Sequence, residues 1–396
     1  MHKYHFELHL NKFLRNKYND LLIADTFRMV ALSLAALYIP IFLLENGFSI
    51  LEICYYELAL FVFSIIAHYL TLSFLPKWGV KKTMIVSYLL TIVFYITLYF
   101  SHALISDFGK YGFLLFVTIF NVVPTALYWS AHHVFFLESS ESGKEGKQLG
   151  ILVGIPTILC IASPFIGSVL ITNFNFYGVF IISIILIIFA SWILTFSPDI
   201  KTDSHLELEK IIDKKFVRKN IIFTLQGVGY SATAFIWPVL LSLMSIKLIS
   251  LGFLYLFSNI VNAVTTFLGG KNSDTQGSRH IGRIGATGHG LSLIFRALST
   301  TIFTMTAFQT MGGFFSGLLD VALDSSFFKR SHNDIANSIM NREFYMYLGR
   351  IILVISLIIC LNIFTQIQAF IITLVIAGTA TFALNIVIKS DKSIMN

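Results

Sequence analysis

The sequence predicts an all-α membrane protein with twelve transmembrane helices in two pseudo-symmetric six-helix bundles. Three observations predict this fold class: an apolar composition, a series of apolar stretches of spanning length, and landmarks that recur at half the chain length. Of the 396 residues, 56% are hydrophobic and 12% are charged, whereas a soluble domain carries about 25% charged residues. The mean hydropathy of +0.78 therefore excludes a soluble enzyme, a nucleic-acid-binding protein and a disordered scaffold.

Twelve apolar stretches are long enough to cross the ~30 Å hydrocarbon core of a bilayer as helices. They cover residues 21–44, 51–75, 83–105, 112–137, 148–172, 176–198, 221–245, 248–270, 282–300, 303–328, 345–365 and 367–389. The ninth stretch is the weakest, because Arg283, His289 and Arg296 interrupt it. Eleven spans are the alternative, but residues 284–328 have the length for two helices joined by a tight turn.

Basic residues alternate between the loops and so predict the orientation of the chain. Lys and Arg occur before the first span, after every even-numbered span and at the C-terminus, whereas the opposite loops hold only Lys110 and Lys247. Arg342 and Arg350 are assigned to the basic loop after the tenth span. Because basic loops stay in the cytoplasm, both termini are predicted to lie on that side of the cytoplasmic membrane. The net charge of +7 is explained in this way, without a nucleic-acid partner.

The two halves of the chain resemble each other. The run AALYIPIFL at 35–43 aligns with TAFIWPVLL at 233–241, and this places Pro40 and Pro238 in register 198 residues apart. The same offset relates loop residues of the two halves, Gly79 to Gly277 and Lys81 to Arg279. Further along, at the fourth and tenth spans, the offset becomes 192. Related six-helix halves are typical of transporters that bind their substrate between the repeats.

The repeat predicts an N-terminal bundle of residues 1–198 and a C-terminal bundle of residues 221–396, joined by the charged segment 199–220. Within this segment Ser204 and Glu207 form a capping-box pattern, and apolar residues then follow at near-helical spacing. The segment is predicted to be an amphipathic helix on the inner leaflet, or else an ordinary solvated linker.

A loop motif follows the eighth span. Its residues are Gly270, Asp274, Gly277 and Arg279, within the run GKNSDTQGSR. The glycines allow a tight turn, and the acid and the base can pair with helix ends and latch one transport state. This spacing resembles the loop motif of the major facilitator superfamily (MFS). The first-half copy keeps Gly79 and Lys81, but other residues replace its first glycine and its acid.

The resemblance to the MFS implies a secondary transporter in which two bundles rock about a central cavity. It also implies that spans 1, 4, 7 and 10 line this cavity. We expect a monomer in the lipid bilayer that takes a small-molecule substrate, with protons as a possible coupling ion and without a cofactor.

Ionisable residues within the spans are costly and are therefore candidates for coupling. Asp25 and Arg28 are three residues apart in the first span, so they share a helix face and can neutralise each other. The alternative to a coupling role is that the two residues form an ion pair near the cytoplasmic surface and extend toward it. Asp320 and Asp324 share a face of the tenth span, and two close carboxylates suit proton binding. A gating or capping role near the helix end is the alternative for these two residues.

Histidines in the fourth span add proton-sensitive groups. The offset of 192 relates Tyr128 to Asp320 and His132 to Asp324, so the resemblance implies that these positions face each other across the cavity. His133 points about 100° away from His132, so only one of the two is predicted to face the cavity. A metal site is not predicted, because the histidine spacing matches no standard ligand motif.

Polar and aromatic side chains within the spans suit an organic solute with an apolar body. The candidate cavity residues are Tyr128, Trp129, His132, Gln226, Tyr230, Trp237, Asn259 and Asn262. The alternative is that these aromatics anchor or pack membrane helices. Arg296, near the outer end of the ninth span, is predicted to extend to the membrane surface. Glu57, near the outer end of the second span, is either a coupling or an interfacial residue.

The sequence therefore predicts a secondary active transporter that moves a small organic solute by alternating access. A P-loop is not found in the chain, which argues against direct ATP drive. The alternatives are a polytopic membrane enzyme that acts on lipid and a transporter-like receptor that binds its ligand without flux. The substrate and the direction of transport stay open.

Overall fold

The computed structural model describes residues 17–139, 156, 158–197, 199, 202, 206–207, 217–276, 278–331 and 334–390. Regular secondary structure in this part of the chain is helical, without strands. Eight of its helices are long and apolar enough to cross a membrane. The prediction of an all-α, multi-pass membrane protein is thereby confirmed.

The first half of the chain contributes five helices. They are α1 (Lys17–Ala35, continued by the 3-10 turn Ala36–Tyr38 and by Ile39–Glu45), α2 (Ile50–Trp78), α3 (Val80–Tyr99), α4 (Ser101–Ser139) and α5 (Ser163–Thr195). The 3-10 turn in α1 lies just before Pro40, which has no N–H to continue the α-helical bonding. At the start of α2, Ser49 and Glu52 form a capping box that satisfies its first N–H groups.

Two of these helices contain a non-helical residue. Gly109 in α4 has φ 73° and ψ 171°, and Asn175 in α5 has φ 56° and ψ −176°, a backbone conformation that residues other than glycine rarely adopt. The apolar segment around α5, Ile158–Thr195, has 38 residues. A straight helix of that length would measure about 57 Å, nearly twice the bilayer core. The described parts of the predicted fifth and sixth spans are thus two helical segments that meet at Asn175.

The second half contributes six helices. They are α6 (Val217–Ser231, continued by the π-helical turn Ala232–Ile236 and by Trp237–Leu243), α7 (Leu248–Gln276), α8 (Ser278–Ala297), α9 (Ile302–Ser331), α10 (Ile335–Leu361) and α11 (Gln366–Ser390). The described residues therefore form eleven helices, and twelve spans stay a prediction. The sequence left the number of spans open at the ninth and tenth predicted spans, but the structure has two separate helices there, α8 and α9. Two predicted spans instead follow each other directly in α5.

Helix α10 begins ten residues before the predicted span 345–365. As a result, Arg342, Glu343 and Arg350 lie inside the helix, and the assignment of Arg342 and Arg350 to a cytoplasmic loop was wrong. Arg342 and Glu343 are buried. Hydropathy placed these charges outside the span because it sums only over neighbours in sequence, whereas their burial depends on partners from other helices.

Helix contacts repeat between the two halves of the chain. In the first half α4 packs on α2 and α3, and α5 packs on α1 and α3. In the second half α9 packs on α7 and α8, α11 packs on α6 and α8, and α10 packs on α6. Two larger contacts cross between the halves, α2 with α10 and α5 with α7, and exchanging the halves converts one into the other. This pattern is that of an internal two-fold pseudo-symmetry.

Glycines allow the backbones of α6 and α10 to touch. A Cβ at Gly349 would overlap the carbonyl oxygen of Thr224, and one at Gly227 would overlap that of Met346. We expect Gly349→Ala to destabilise the fold by about 1–3 kcal/mol, because a backbone carbonyl cannot move aside as a side chain can. A lower melting temperature of the purified variant would measure this effect.

Gly269→Ala is the matched control for Gly349→Ala. Its added Cβ would meet only the end of the Leu318 side chain, at 3.2 Å. Equal melting temperatures for the two variants would contradict the close packing of α6 on α10.

Candidate functional site

A buried cluster of charged and aromatic side chains lies between α1, α3 and α4. The Arg28 guanidinium stacks on Tyr128, with its carbon 3.3 Å from the ring centroid, and lies 6.0 Å from the centroid of Tyr88. Asp25 approaches His132, with 3.4 Å between Oδ2 and Nε2. Asp25 and Arg28 are each only 2% exposed, so neither reaches the cytoplasmic surface. Asp25 and Arg28 interact as predicted, and each also has a partner on α4, which is His132 for Asp25 and Tyr128 for Arg28.

Several polar atoms of this cluster have no hydrogen-bond partner among the described residues. They are Asp25 Oδ1, Arg28 Nε and Nη1, the hydroxyls of Tyr88 and Tyr128, and both ring nitrogens of His132. Buried polar groups are almost always hydrogen-bonded, since an unpaired one costs ~1–3 kcal/mol. The cluster can therefore accept a ligand or water that supplies both donors and acceptors.

The second half presents a related set of side chains on α6 and α9. The Tyr230 hydroxyl donates to Asp320 Oδ1 at 2.9 Å, and Gln226 interacts with both of these residues. Asp324 pairs with Arg342 at 2.7 Å between Oδ1 and Nη2. The predicted acidic pair on α9 is thus present, but each carboxylate has a partner of its own.

The repeat offsets of 198 and 192 residues relate a contact in the first half to a contact in the second half. Arg28 and Gln226 are 198 residues apart, and Tyr128 and Asp320 are 192 apart. Arg28 contacts Tyr128 in the first half, and Gln226 interacts with Asp320 in the second. Equivalent positions on the first and fourth helices of each half are therefore in contact.

Glu343 on α10 connects the two halves through histidines. Its Oε2 lies 3.8 Å from His68 Nε2 on α2, and its Oε1 lies 4.0 Å from His133 Nε2 on α4. His68 Nδ1 also contacts the Ser130 hydroxyl at 3.0 Å, and its Nε2 lies 3.5 Å from the Tyr347 hydroxyl. His133, rather than His132, is thus the histidine of α4 that faces the other half.

Arg350 extends this cluster toward the N-terminal part of α2. Its guanidinium stacks on Tyr347, 4.8 Å from the ring centroid, and lies 5.7 Å from that of Phe61. It also interacts electrostatically with Glu57, which is buried rather than at the membrane surface. Glu57 is therefore part of the charged network between the halves.

The remaining cavity candidates have defined contacts. Trp129 stacks on His133 with 5.5 Å between ring centroids, and Trp237 is fully buried near Arg296. Asn259 donates to the Ile161 carbonyl at 3.5 Å, across the contact of α7 with α5. Asn262 donates to the Gly313 carbonyl at 3.1 Å and to Ser316. The two asparagines thus join helices, and both stay half-buried.

Arg296 was predicted to reach the membrane surface, and this prediction was wrong. Its side chain is 1% exposed and points toward α9, where it donates to the carbonyls of Phe308 and Gln309 at 3.4 Å each. The space for it comes from Gly312, because a Cβ there would overlap the guanidinium.

The loop between α2 and α3, which carries the first-half copy of the motif and is the predicted first-half gating loop, is anchored by an acid that the motif comparison missed. The Lys81 amide donates to Asp199 Oδ1 at 3.0 Å, and its ammonium group donates to the carbonyls of Thr195 and Ser197. Gly79 has φ 84°, and a Cβ there would also press on Asp199. Asp199, beyond the end of α5, thus contacts the loop in which the motif's own acid is missing.

The second-half gating loop is only partly described. The backbone of Gly270 and Asp274 is helical, because α7 continues through Gln276, while Gly277 lies outside the described residues. Arg279, in α8, donates to the carbonyls of Ile388 and Lys389 at the end of α11. Most of the linker 199–220 is also outside the description, including its proposed amphipathic helix, and α6 begins at Val217.

Sequence reasoning missed Tyr88, Asp199, Arg342, Glu343 and Arg350. One signal was present: Glu343, Tyr347 and Arg350 are spaced by four and three residues, so they share one face of a helix. A predicted span that began at residue 335 would have contained all three residues and shown that they share one helix face. Tyr88 had no such signal, since a tyrosine in an apolar span is ordinary.

Comparison with known proteins identifies the family. The sequence profile of the Major Facilitator Superfamily matches residues 21–354, whereas no curated protein sequence matches the chain. The crystal structure of the human organic anion transporter MFSD10 (TETRAN) is similar at a TM-score of 0.67 and 8% sequence identity, and the match covers 95% of this chain and 99% of that chain. The chain therefore belongs to the major facilitator superfamily and is a multi-pass membrane transporter rather than an enzyme.

Proposed function

We propose that this transporter moves a small organic solute by alternating access and couples the movement to protons. The observation that carries the proposal is the contact of Glu343 with His68 and His133. A carboxylate of one half faces two imidazoles of the other, and both kinds of side chain can bind and release protons. Protonation would change the attraction between the halves and so bias the transporter toward one of two states.

Two rocking bundles are the architecture for this function. The symmetric helix contacts support bundles of residues 1–198 and 221–396, joined by the linker 199–220. The non-helical conformation of Asn175 allows α5 to serve as two spans, which would give twelve in all. The alternating basic loops support cytoplasmic termini in the cytoplasmic membrane. We propose a monomer, because one chain supplies both halves of the site.

The solute is proposed to bear an anionic group that binds Arg28. The guanidinium stacks on Tyr128 and leaves Nε and Nη1 without a protein partner, so both N–H groups can meet a carboxylate or phosphate. The structural neighbour MFSD10 is an organic anion transporter, which agrees with an anionic solute. The aromatic side chains of Tyr88, Tyr128 and Trp129 would contact an apolar body.

Asp320 and Asp324 are proposed to take part in coupling from the second half. Both are half-buried, so protons can reach them, and each has a partner that senses its charge, Tyr230 for Asp320 and Arg342 for Asp324. Arg342 is adjacent to Glu343 in the chain and interacts with it electrostatically. The acidic pair on α9 is thereby linked to the histidine contact between the halves.

A ligand screen followed by flux measurements tests the proposal. Purified protein would be screened by thermal shift against organic acids and their neutral analogues, and each hit would be measured for uptake into proteoliposomes. We expect a pH gradient to drive accumulation in the wild type, and Asp320→Asn and Asp324→Asn to reduce it. Asp107→Asn, an exposed acid near the start of α4, is the matched control.

Two outcomes would contradict the proposal in different ways. Uptake that ignores the pH gradient and is unchanged in both α9 variants would exclude proton coupling through these residues. Saturable binding of a hit without any movement into the liposomes would instead indicate a receptor with a transporter fold.

A further inference from the structure

Arg296 carries a permanent positive charge inside the second half of the protein. It lies on α8, and its side chain is enclosed by α6, α7 and α9. The guanidinium carbon is 5.9 Å from the ring centroid of Trp237 on α6, and the side chain interacts electrostatically with Tyr255 on α7. Its two bonds to α9 carbonyls are long, at 3.4 Å each.

The charge of Arg296 has no acidic partner among the described residues. The ion pairs of this part of the chain involve other cations, and the groups that act electrostatically on Arg296 include no carboxylate. Other buried arginines differ in this respect: Arg342 pairs with Asp324, and Arg28 lies close enough to Asp25 to interact with it. A buried charge without compensation costs several kcal/mol, so a counter-charge is expected at this position.

Arg296 and two residues near it carry buried nitrogen atoms without hydrogen-bond partners among the described residues. Arg296 Nη1 and Trp237 Nε1 are buried and have no hydrogen-bond partner among the described residues. His289, on the same helix as Arg296, also has a buried ring nitrogen, Nδ1, without a partner there. Arginine and tryptophan nitrogens only donate hydrogen bonds. A ligand that satisfies both must therefore be an acceptor, and the positive charge requires that it be negative.

We infer that Arg296 and Trp237 form a binding site for a small monovalent anion between α6, α8 and α9. An anion there would accept hydrogen bonds from Arg296 Nη1 and Trp237 Nε1 and would neutralise the buried charge. The anion is either a free inorganic ion such as chloride or the carboxylate of a small solute. This site is separate from the Arg28 cluster in the first half and does not depend on proton coupling.

Thermal unfolding of the purified protein in different sodium salts tests this site. At constant ionic strength, replacing gluconate by chloride or bromide is expected to raise the melting temperature of the wild type along a saturable curve. Arg296→Gln should abolish the dependence on the anion. Trp237→Phe, which removes one N–H and keeps an aromatic ring, should shift the midpoint several-fold toward higher anion concentration.

Arg283→Gln is the matched control for the same helix. Arg283 donates to the Asn385 side chain at 2.8 Å and is not part of the site, so this variant should respond to chloride as the wild type does. If Arg296→Gln does not fold, Trp237→Phe still tests the site through the broadening of the ³⁵Cl NMR signal by bound chloride. Chloride broadening equal to that of the wild type in Trp237→Phe would overturn the inference.

Competition with benzoate distinguishes the two sources of the anion. Chloride broadening that persists in benzoate identifies a site for a free inorganic ion, whereas displacement by benzoate, but not by benzamide, identifies a site for a carboxylate. Both results support the inference. A wild type whose melting temperature is the same in gluconate, chloride and benzoate would overturn it, as would an Arg296→Gln variant that responds to the anions like the wild type.

Discussion

Replacing Glu343 by glutamine is expected to abolish proton-driven accumulation of solute while exchange of solute across the membrane continues. Glu343 is the carboxylate that faces both His68, at 3.8 Å, and His133, at 4.0 Å, across the contact between the halves. Glutamine keeps the size of the side chain but neither binds nor releases a proton. The two states of the transporter would then interconvert without a charge change at this contact.

The expected size of this effect follows from the burial of the cluster. His68 is fully buried, and Glu343 and His133 are 8% and 7% exposed. When a histidine of this cluster is protonated its contact with Glu343 is a buried ion pair, and removing one partner of such a pair costs ~3–5 kcal/mol. Each 1.4 kcal/mol changes an equilibrium about tenfold. The balance between the two states would thus shift by about 100-fold or more, toward the state in which the halves separate at α2 and α10.

Proteoliposomes measure this prediction through two assays on the same preparation. Accumulation under an imposed pH gradient reports coupling, and counterflow of labelled solute without a gradient reports alternating access alone. Glu45→Gln, an exposed acid at the end of α1, makes the same chemical change away from the cluster and should behave as the wild type. A Glu343→Gln protein that accumulates solute at the wild-type level would exclude this carboxylate from coupling.

Replacing Arg28 by glutamine is expected to reduce the affinity for an anionic solute by about 30-fold or more. Losing a buried charged hydrogen-bond partner costs ~2–5 kcal/mol, and 2 kcal/mol corresponds to this factor. The affinity of Arg28→Lys should lie between that of the wild type and that of Arg28→Gln, because lysine keeps the charge but loses the planar guanidinium that stacks on Tyr128.

Comparing the loss of affinity for an acid with that for its neutral amide distinguishes a role in anion recognition from a general folding or binding defect. The affinity of a carboxylate solute should fall in Arg28→Gln, whereas that of its neutral amide should change little, as measured by thermal shift titration. Arg218→Gln, which removes an exposed arginine at the start of α6, is the matched control. Equal losses for the acid and the amide, or no loss for either, would contradict a role of Arg28 in binding the anionic group.

Much of the fold could be predicted from apolar runs and from the repeat. The second predicted span, 51–75, became α2 at Ile50–Trp78, because an apolar run that begins with the Ser49 capping box specifies a helix locally. The prediction failed at α10, where Arg342 and Arg350 were assigned to a loop. Hydropathy is a sum over neighbours in sequence, and it does not register that a charge is paired with a residue of another helix.

The candidate site was predicted in part. Asp25, Arg28, Tyr128 and His132 do lie together, because helical spacing places the first two on one face of α1 and the last two on one face of α4. Asp25 and Arg28 interact within α1 as well, and each has a further partner on α4 that spacing along α1 does not reveal. The choice between His132 and His133 also needed the structure, because adjacent helical residues differ only in direction.

The sequence by itself determined the environment and the overall plan of this protein. A bilayer requires apolar helices with internally satisfied backbones, so composition and periodicity were sufficient to predict an all-α membrane fold. Tertiary structure alone decided which buried charges have partners. His68 and Glu343 are 275 residues apart in the chain and 3.8 Å apart in space, and Arg296 is buried with no acidic partner in the part of the chain that the structure describes. Electrostatic pairing depends on such distances, and these are set by helix packing rather than by spacing along the chain.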